Sequence, residues 1–163
     1  MFRPMRKKER QMEPEAAKAL LEKGTTGVLA CLGDDGYPYA VPLNYVYYQD
    51  KIYFHTAKEG HKIDAILNNP KVSFALVGAD KIVSAEYTTH YSSVIAFGRA
   101  RIAEGEERLN AFRALNEGLA GDRPEEEREK AINECASAYI IAIDVEQLTG
   151  KAHEACIKNC TKL

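Results

Sequence analysis

The stretch from His55 to Lys62 reads HTAKEGHK and concentrates groups that can hold an anion. It combines one hydroxyl, one glycine, two imidazoles and two ammonium groups. The aromatic run before it is typical of a strand and the apolar spacing after it is typical of a helix, so we expect a strand-to-helix junction here. The first turn of a helix offers unpaired N–H groups and the positive end of the helix dipole. The junction therefore predicts a site for an anion such as phosphate.

Lys62 carries the most specific signal within this junction. A lysine in the first turn of a helix opposes the helix dipole, which is unfavourable unless an anion is bound. Thr56 could donate its hydroxyl to the same anion. Taken singly, Lys62 could equally be a solvated surface lysine, and Thr56 a β-branched strand residue.

A second constellation lies near the end of the chain, where His153, Cys156 and Cys160 follow at i, i+3 and i+7. On a helix these positions share one face, and their side chains suit zinc or another soft metal. No fourth ligand is evident nearby, so we interpret the pair as thiols on a terminal helix and predict no metal. A metal or redox sensor built on these thiols is the alternative.

Composition and charge exclude several classes of protein. The chain has 163 residues, of which 45% are hydrophobic and 28% charged, which is typical of one globular domain. A formal net charge of -2 gives no field that favours nucleic acid or an anionic membrane. No apolar run is long enough to span a bilayer, and the basic start MFRPMRKKER lacks the apolar segment of a secretory signal. Four irregularly spaced cysteines do not suggest a disulfide framework, so we expect a cytoplasmic protein.

Strand patterns dominate the chain, and helices connect them. We divide it into a basic N-terminal arm (residues 1–12), a main domain (13–148) and a C-terminal tail (149–163). A short apolar helix is expected from Pro14 to Gly24, and further helices at 61–68, 106–119 and from Pro124. We predict strands at 27–32, 39–48, 51–57, 71–77, 92–103 and 138–145.

These six strands, joined by turns such as Gly33–Gly36, predict a mainly β protein with inserted helices, built as a small antiparallel barrel. Residues 78–91 are ambiguous and could hold another short strand. The sequence contains neither a GxGxxG dinucleotide fingerprint nor a GxxxxGK[ST] phosphate loop.

The ordered set of short motifs resembles the FMN-binding split-barrel family related to pyridoxamine 5′-phosphate oxidase, in its nitroimidazole-resistance (nitroreductase-like) branch. The resemblance covers residues 5 to 153. It is carried by GVLA (27–30), GYP (36–38), VPLNY (41–45), IYFHTA (52–57), GHK (60–62), NPKVSF (69–74), YSSV (91–94), FGRA (97–100) and TGK (149–151).

The resemblance implies a six-stranded antiparallel split β-barrel that forms a homodimer with FMN in each of two interface clefts. The flavin would lie along the second and third strands, and its phosphate would sit at the start of the following helix. The partner subunit would contribute from the fifth strand, and a C-terminal lysine would approach the cofactor. Carried onto this sequence, the FMN-binding residues are Val41, Pro42, Leu43, Asn44, His55, Thr56, Ala57, His61, Lys62, Tyr91, Ser92, Ser93, Val94 and Lys151.

The chemistry of these residues suits the cofactor. Val41, Pro42 and Leu43 could form an apolar slot, and Pro42 belongs at a sheet edge because it lacks an N–H. His55 is the candidate catalytic residue, since from a strand end it could donate to a flavin carbonyl or touch a substrate. It could equally be structural, because flavin chemistry needs no catalytic side chain.

We therefore expect an FMN-dependent oxidoreductase that takes electrons from a nicotinamide donor and reduces a small electrophile such as a nitroaromatic. The alternative is a non-catalytic flavin- or haem-binding protein on the same barrel, with His55, His61 or His90 as an axial ligand to haem. A true pyridoxamine 5′-phosphate oxidase is disfavoured because no arginine cluster matches a second phosphate site.

Overall fold

The computed structural model describes residues 2–134 and 138–160, except the side chains of residues 35, 133, 134 and 158–160. One antiparallel sheet of seven strands forms the body, in the order β2-β1-β5-β6-β7-β4-β3. The strands are β1 Thr26–Leu32, β2 Pro38–Asn44, β3 Val46–Tyr48, β4 Lys51–Thr56, β5 Lys71–Val83, β6 Thr88–Ile102 and β7 Tyr139–Ala152.

The described helices connect the strands and cover the sheet. They are α1 Pro14–Lys23, α2 His61–Asn68, α3 Gly105–Ala120, α4 Glu125–Glu134 and α5 Glu154–Cys160. Pro14 begins α1 where a missing N–H costs nothing, and the apolar positions Ala17 and Leu21 of that helix are buried. None of the helices in this described part is both long and apolar enough to cross a bilayer.

The prediction of six strands was wrong, because the expected strand at 39–48 is divided at Tyr45. The Tyr45 N–H donates to the Thr25 carbonyl at 3.0 Å, and its phenol O–H donates to the Leu21 carbonyl at 2.7 Å. Its buried ring packs edge-on against Phe74. The backbone thus leaves the ladder at Tyr45, and β2 and β3 become separate strands.

The division at Tyr45 explains how the sheet curls without closing. β2 and β3 lie at opposite edges of the sheet, and only Tyr45 separates them in the chain. The two edges must therefore converge at this residue. No ladder joins β2 to β3 among the described strands, so the sheet is a split rather than a closed barrel.

Two further parts of the sheet differ from what the sequence predicted. Residues 78–91, which the sequence left ambiguous, continue β5 and β6, and these strands pair through Val83 and Thr88 around a 3₁₀ turn at Ser84–Glu86. β7 runs past the expected end at residue 145 to Ala152, with a register shift opposite Phe97/Gly98. Bulges in both ladders let the long strands bend around the core.

Apolar side chains fill the two faces of the sheet differently. The main cluster lies inside the curl and includes Leu29, Phe54, Phe74, Val94 and Ile141. A smaller cluster lies on the other face of β4 and β7, under α3 and α4, and consists of Tyr53, Ala103, Ala111, Phe112, Leu115, Ile132, Ile140 and Ala142. The helices α3 and α4 thus cover only part of the outer face.

The N-terminal arm lies on the sheet instead of hanging loose. Gln11 forms a β-bridge with Lys151, and the Met12 N–H donates to the Gly150 carbonyl at 2.9 Å. Met12 is buried, and a Cβ on Gly150 would come within 2.9 Å of the Met12 Cβ. A side chain at position 150 would therefore push the arm away.

Candidate functional site

The start of α2 has the geometry of an anion site. Gly60 precedes the helix with a φ of 120°, a conformation that side chains other than hydrogen disfavour. The first intrahelical bonds come from the N–H groups of Ile63 and Asp64 to the Gly60 carbonyl. No described side chain caps the helix, and a Cβ on Gly60 would meet nothing within 4 Å. The N–H groups of His61 and Lys62 therefore have no intrahelical or capping acceptor among the described residues, at the positive end of the dipole.

Lys62 adds a cation that lacks a counter-charge. Its half-buried ammonium lies 5.7 Å from the centre of the Phe54 ring and makes no ion pair within the described chain. Burial lowers the pKa of Lys62, and burial raises the pKa of the neighbouring Cys31 thiol. An anion bound here would stabilise a charge that the protein itself leaves unpaired.

His61 is held by two residues that the sequence analysis missed. Its ring stacks on Tyr39 with centroids 4.1 Å apart, and its Nε2 lies 3.8 Å from Asp34 Oδ2. A Cβ on Gly33 would come 3.0 Å from His61 Nε2. The turn between β1 and β2 thus lies beside the imidazole, and the antiparallel pairing of these two strands places Tyr39 opposite Cys31.

These groups share one cleft of ≈ 410 Å³, the α2 cleft, which is lined by Tyr39, His55, Thr56, Ala57, Glu59, Gly60, His61 and Lys62. It brings together five of the predicted cofactor residues. Thr56 is buried, whereas His55 lies exposed on the outer face with no hydrogen bond to a described residue. The cleft also joins β2, at one edge of the sheet, to the end of β4, near the other edge. It therefore occupies the mouth of the split.

The side chains of β2 that were predicted to form an apolar slot are oriented differently from that prediction. Val41 and Leu43 pack against the main core, while Pro42 and Asn44 are exposed. The Asn44 amide already donates to the Thr25 carbonyl and the Thr26 hydroxyl, at 3.1 and 3.0 Å. Because β2 is an edge strand, its backbone edge rather than its apolar side chains is available to a ligand.

Three of the remaining predicted residues, Tyr91, Ser93 and Lys151, form a second cluster on β6 and β7. Ser93 is paired with Lys151, whose ammonium lies 5.3 Å from the centre of the Tyr91 ring. Ser92 and Val94 are buried on the opposite face of β6 and do not reach this surface. Burial alone would raise the pKa of Tyr91, but hydrogen bonds from Arg10 and Lys151 outweigh it and lower the pKa. The cluster is therefore electropositive.

One chain does not bring the α2 cleft and this second cluster together. His55 pairs with Ile140 and Ser93 pairs with Lys151, so the two sites lie eleven residues apart along β7. At a rise of 3.3 Å per residue this is about 36 Å of strand. The two sites are therefore distant from each other along β7.

The tail gives no metal site within the described residues. His153 stacks on His90 with centroids 4.6 Å apart, and its Nδ1 accepts a hydrogen bond from the Ala155 N–H at 3.3 Å. No group of three or more potential ligands is arranged around a metal in this part of the chain. The Cys160 side chain, the third predicted ligand, lies outside the described set.

Comparison with known proteins gives one family and several related folds. Three solved structures share this fold at less than 25% identity, and at that level they show the fold alone. A Bacteroides thetaiotaomicron protein named for 5-nitroimidazole antibiotic resistance has 22% identity and a TM-score of 0.73, over 85% of this chain and 83% of its own. The conserved hypothetical protein Rv2991 from Mycobacterium tuberculosis has 20% identity and a TM-score of 0.79, over 94% and 92%.

A FAD and haem binding protein from Mycobacterium smegmatis has 17% identity and a TM-score of 0.70, over 89% of this chain and 74% of its own. No curated protein matches the sequence. A family model described as pyridoxamine 5′-phosphate oxidase matches residues 13–152, from the start of α1 to the end of β7. The chain therefore belongs to the pyridoxamine 5′-phosphate oxidase family, which confirms the resemblance seen in its motifs.

Proposed function

We propose that the protein is a homodimeric FMN-dependent oxidoreductase that reduces a small electrophile such as a nitroaromatic. The observation that carries the proposal is the half-buried, unpaired ammonium of Lys62 beside the uncapped start of α2. A phosphate fits this arrangement because it accepts from backbone N–H groups and pairs with a fixed cation. In this proposal Lys62, His61 and Thr56 hold the phosphate of FMN.

The isoalloxazine ring of FMN needs a flat surface and donors for its polar edge. The free backbone edge of β2 between Val41 and Asn44 supplies such a rim next to the α2 cleft. His55, exposed at the mouth of the cleft, is placed to donate to a carbonyl of the ring or to a bound substrate. Ala57 leaves room beside it for a planar group.

The separation of the two clusters along β7 supports the proposed dimer. The partner subunit's copy of the β6–β7 surface would bring Tyr91, Ser93 and Lys151 to the FMN held by the first subunit. A symmetric dimer would then contain two equivalent shared sites.

The chemistry is supplied by the cofactor, and the chain supplies position. FMN bound here would supply the redox chemistry between a nicotinamide donor and the electrophile. Lys62 neutralises the phosphate, the β2 edge orients the ring, and the partner's surface covers it against water. The thiols of Cys31 and Cys156 are free, which suits the reducing cytoplasm in which we expect the protein.

The visible absorption spectrum of the freshly purified protein tests the proposal. We expect flavin bands, release of FMN on heating, and bleaching when a reduced nicotinamide is added without oxygen. Recovery of the bands on adding a nitroaromatic would then demonstrate turnover. A colourless protein that fails to take up added FMN would refute the proposal.

Haem binding is a second candidate, because one neighbour in fold is a FAD and haem binding protein. Of the three histidines considered as axial ligands, His61 stacks on Tyr39 and His90 is bonded to Glu86 at 3.0 Å. His55 is the one left open to a ligand. An intense haem band in the spectrum, lost in His55→Ala, would favour this candidate over FMN.

A further inference from the structure

The N-terminal arm builds a cleft on the outer face of the sheet. Phe2 stacks on Phe97 with ring centroids 5.5 Å apart, at the opposite end of the arm from the anchors at Gln11 and Met12. The arm and the sheet enclose ≈ 250 Å³. This space, the arm cleft, is lined by Phe2, Arg3, Met5, Ser93, Ile95, Phe97, Gln147, Thr149 and Lys151.

The floor of the arm cleft is apolar and partly aromatic. Phe2, Ile95 and Phe97 line the cleft and remain about two-fifths exposed, although the rings of Phe2 and Phe97 stack on each other. Aromatic faces of this kind bind planar rings by stacking, and the surrounding aliphatic groups add apolar contact. The arm cleft therefore favours a flat, largely apolar molecule.

The rim of the arm cleft carries positive charge without a matching carboxylate. Arg3 and Lys151 line it, and neither makes an ion pair within the described residues. Arg10 lies just beyond, where its guanidinium donates to the Tyr91 hydroxyl at 3.4 Å, and Glu9 and Glu154 lie near it. Because no carboxylate is among the residues that line the arm cleft, the charges of Arg3 and Lys151 are available to an anionic ligand.

From this combination we propose that the arm cleft binds a planar aromatic molecule bearing an anionic group. The ring would lie against Phe2 and Phe97, and the anion would meet Arg3 and Lys151. The Ser93 hydroxyl offers a donor beside them, whereas the Thr149 hydroxyl already donates to the Ile95 carbonyl at 3.3 Å. Arg3 thereby becomes a residue that selects anionic over neutral aromatic compounds.

This inference rests on the proposed function where it concerns the substrate of the reaction. In the proposed dimer, Ser93 and Lys151 lie both in the arm cleft and beside the partner's FMN, so a ring in the arm cleft is next to the flavin. The substrate class then narrows from nitroaromatics in general to aromatic electrophiles that carry a carboxylate or a similar anion.

Binding of 4-nitrobenzoate, with its neutral analogue 4-nitrobenzamide as the control ligand, tests the proposal. Calorimetry is done on the full-length protein saturated with FMN, and the flavin content of each sample is measured from its spectrum. We expect Arg3→Ala to weaken the binding of 4-nitrobenzoate by about fivefold and to leave the affinity for 4-nitrobenzamide unchanged. Arg6→Ala is the matched control, because Arg6 is an exposed arginine of the same arm that does not line the cleft.

The outcomes separate the two proposals. Equal affinity for the two ligands, or equal effects of Arg3→Ala and Arg6→Ala, would overturn the anionic arm cleft even if FMN is bound normally. A loss of FMN affinity in Arg3→Ala, with displacement of FMN by 4-nitrobenzoate, would also overturn it by assigning the cleft to the flavin. If no variant takes up FMN, the proposed function fails, while Arg3-dependent binding of 4-nitrobenzoate would still establish the arm cleft.

Discussion

Tyr39 and His61 stack with their ring centroids 4.1 Å apart, and this contact ties the edge strand β2 to the first turn of α2. The two residues are far apart in the chain, yet they line the same cleft as Lys62. Through Tyr39, the position of the proposed phosphate site depends on the register of β2 with β1, in which Tyr39 faces Cys31. The strand edge and the anion site are thus one structural unit.

Replacement of Tyr39 should show that the stack holds His61 in place. We expect Tyr39→Ala to weaken FMN binding by about threefold to tenfold, since an aromatic pair is worth about 0.5–1.5 kcal/mol. Tyr39→Phe keeps the ring and should bind FMN like the unmodified protein. Quenching of FMN fluorescence gives both affinities, and an equal loss in both variants would mean that the hydroxyl, not the stack, matters.

Lys62 should contribute more to FMN affinity than any neighbouring lysine. We expect Lys62→Ala to raise the Kd for FMN by about tenfold or more, because a charge-assisted hydrogen bond to phosphate is lost. Lys58→Ala is the control, since Lys58 lies over the Tyr139 ring and does not line the α2 cleft. Riboflavin, which lacks the phosphate, should bind both variants alike.

The lowered pKa of Lys62 predicts a pH dependence of FMN binding. Burial disfavours the charged ammonium, so the free protein loses this proton below the usual lysine range, and FMN affinity should fall as pH rises through that pKa. By the same linkage, the stability of the free protein should rise with pH between the lowered and the ordinary pKa of Lys62, because the unfolded chain binds more protons there.

Lys62→Arg separates this effect from ionisation of the flavin itself. Arginine stays charged over the whole range, so the alkaline fall in affinity should be smaller in this variant. Titrations of FMN between about pH 7 and pH 10 measure both curves. Parallel curves for lysine and arginine would assign the pH dependence to another group.

The junction at residues 55–62 was accessible from sequence because its residues are adjacent in the chain. Strand end, glycine, helix start and lysine follow one another, so local patterns were enough to predict the cluster. Tyr39 and Asp34 were missed because they reach His61 only through the pairing of β1 with β2.

The division at Tyr45 escaped prediction for a related reason. The run from Tyr39 to Tyr48 contains no strong turn signal, and the buried hydrogen bond from Tyr45 to Leu21 is a tertiary contact. The position of the N-terminal arm could not be predicted either. Its basic residues show no apolar periodicity, and it is anchored by contacts with the distant strand β7. Sequence patterns therefore predicted the local elements, whereas the curl of the sheet decided which of them meet.

Arg101 should stabilise the fold without affecting the cofactor. Its guanidinium donates to Glu107 at 2.7 and 2.8 Å and to Asp144 at 2.7 and 3.2 Å, and the Tyr53 hydroxyl donates to Glu107 at 3.0 Å. We expect Arg101→Ala to lower the free energy of unfolding by about 1 kcal/mol, near the upper end for partly exposed pairs because several bonds act together. Arg99→Ala, which removes one exposed contact with Glu146, should cost less.

The same network predicts sensitivity to acid. The hydrogen bond from Arg101 is the main cause that lowers the pKa of Glu107. A carboxyl with a lowered folded pKa stabilises the protein above its ordinary pKa, and this contribution disappears as pH falls through the lowered value. Urea unfolding at neutral and acid pH should therefore show the difference between Arg101→Ala and the unmodified protein shrinking in acid.

Mixed dimers would reveal whether two subunits share each FMN site. Every proposed site needs Lys62 from one chain and Lys151 from its partner, so homodimers of Lys62→Glu or of Lys151→Glu should each lose both sites. Refolding the two variants together gives random pairing, in which about half of the dimers are mixed and one of their two sites is intact. The mixture should therefore regain about a quarter of the normal FMN capacity, whereas sites contained within one chain would regain none.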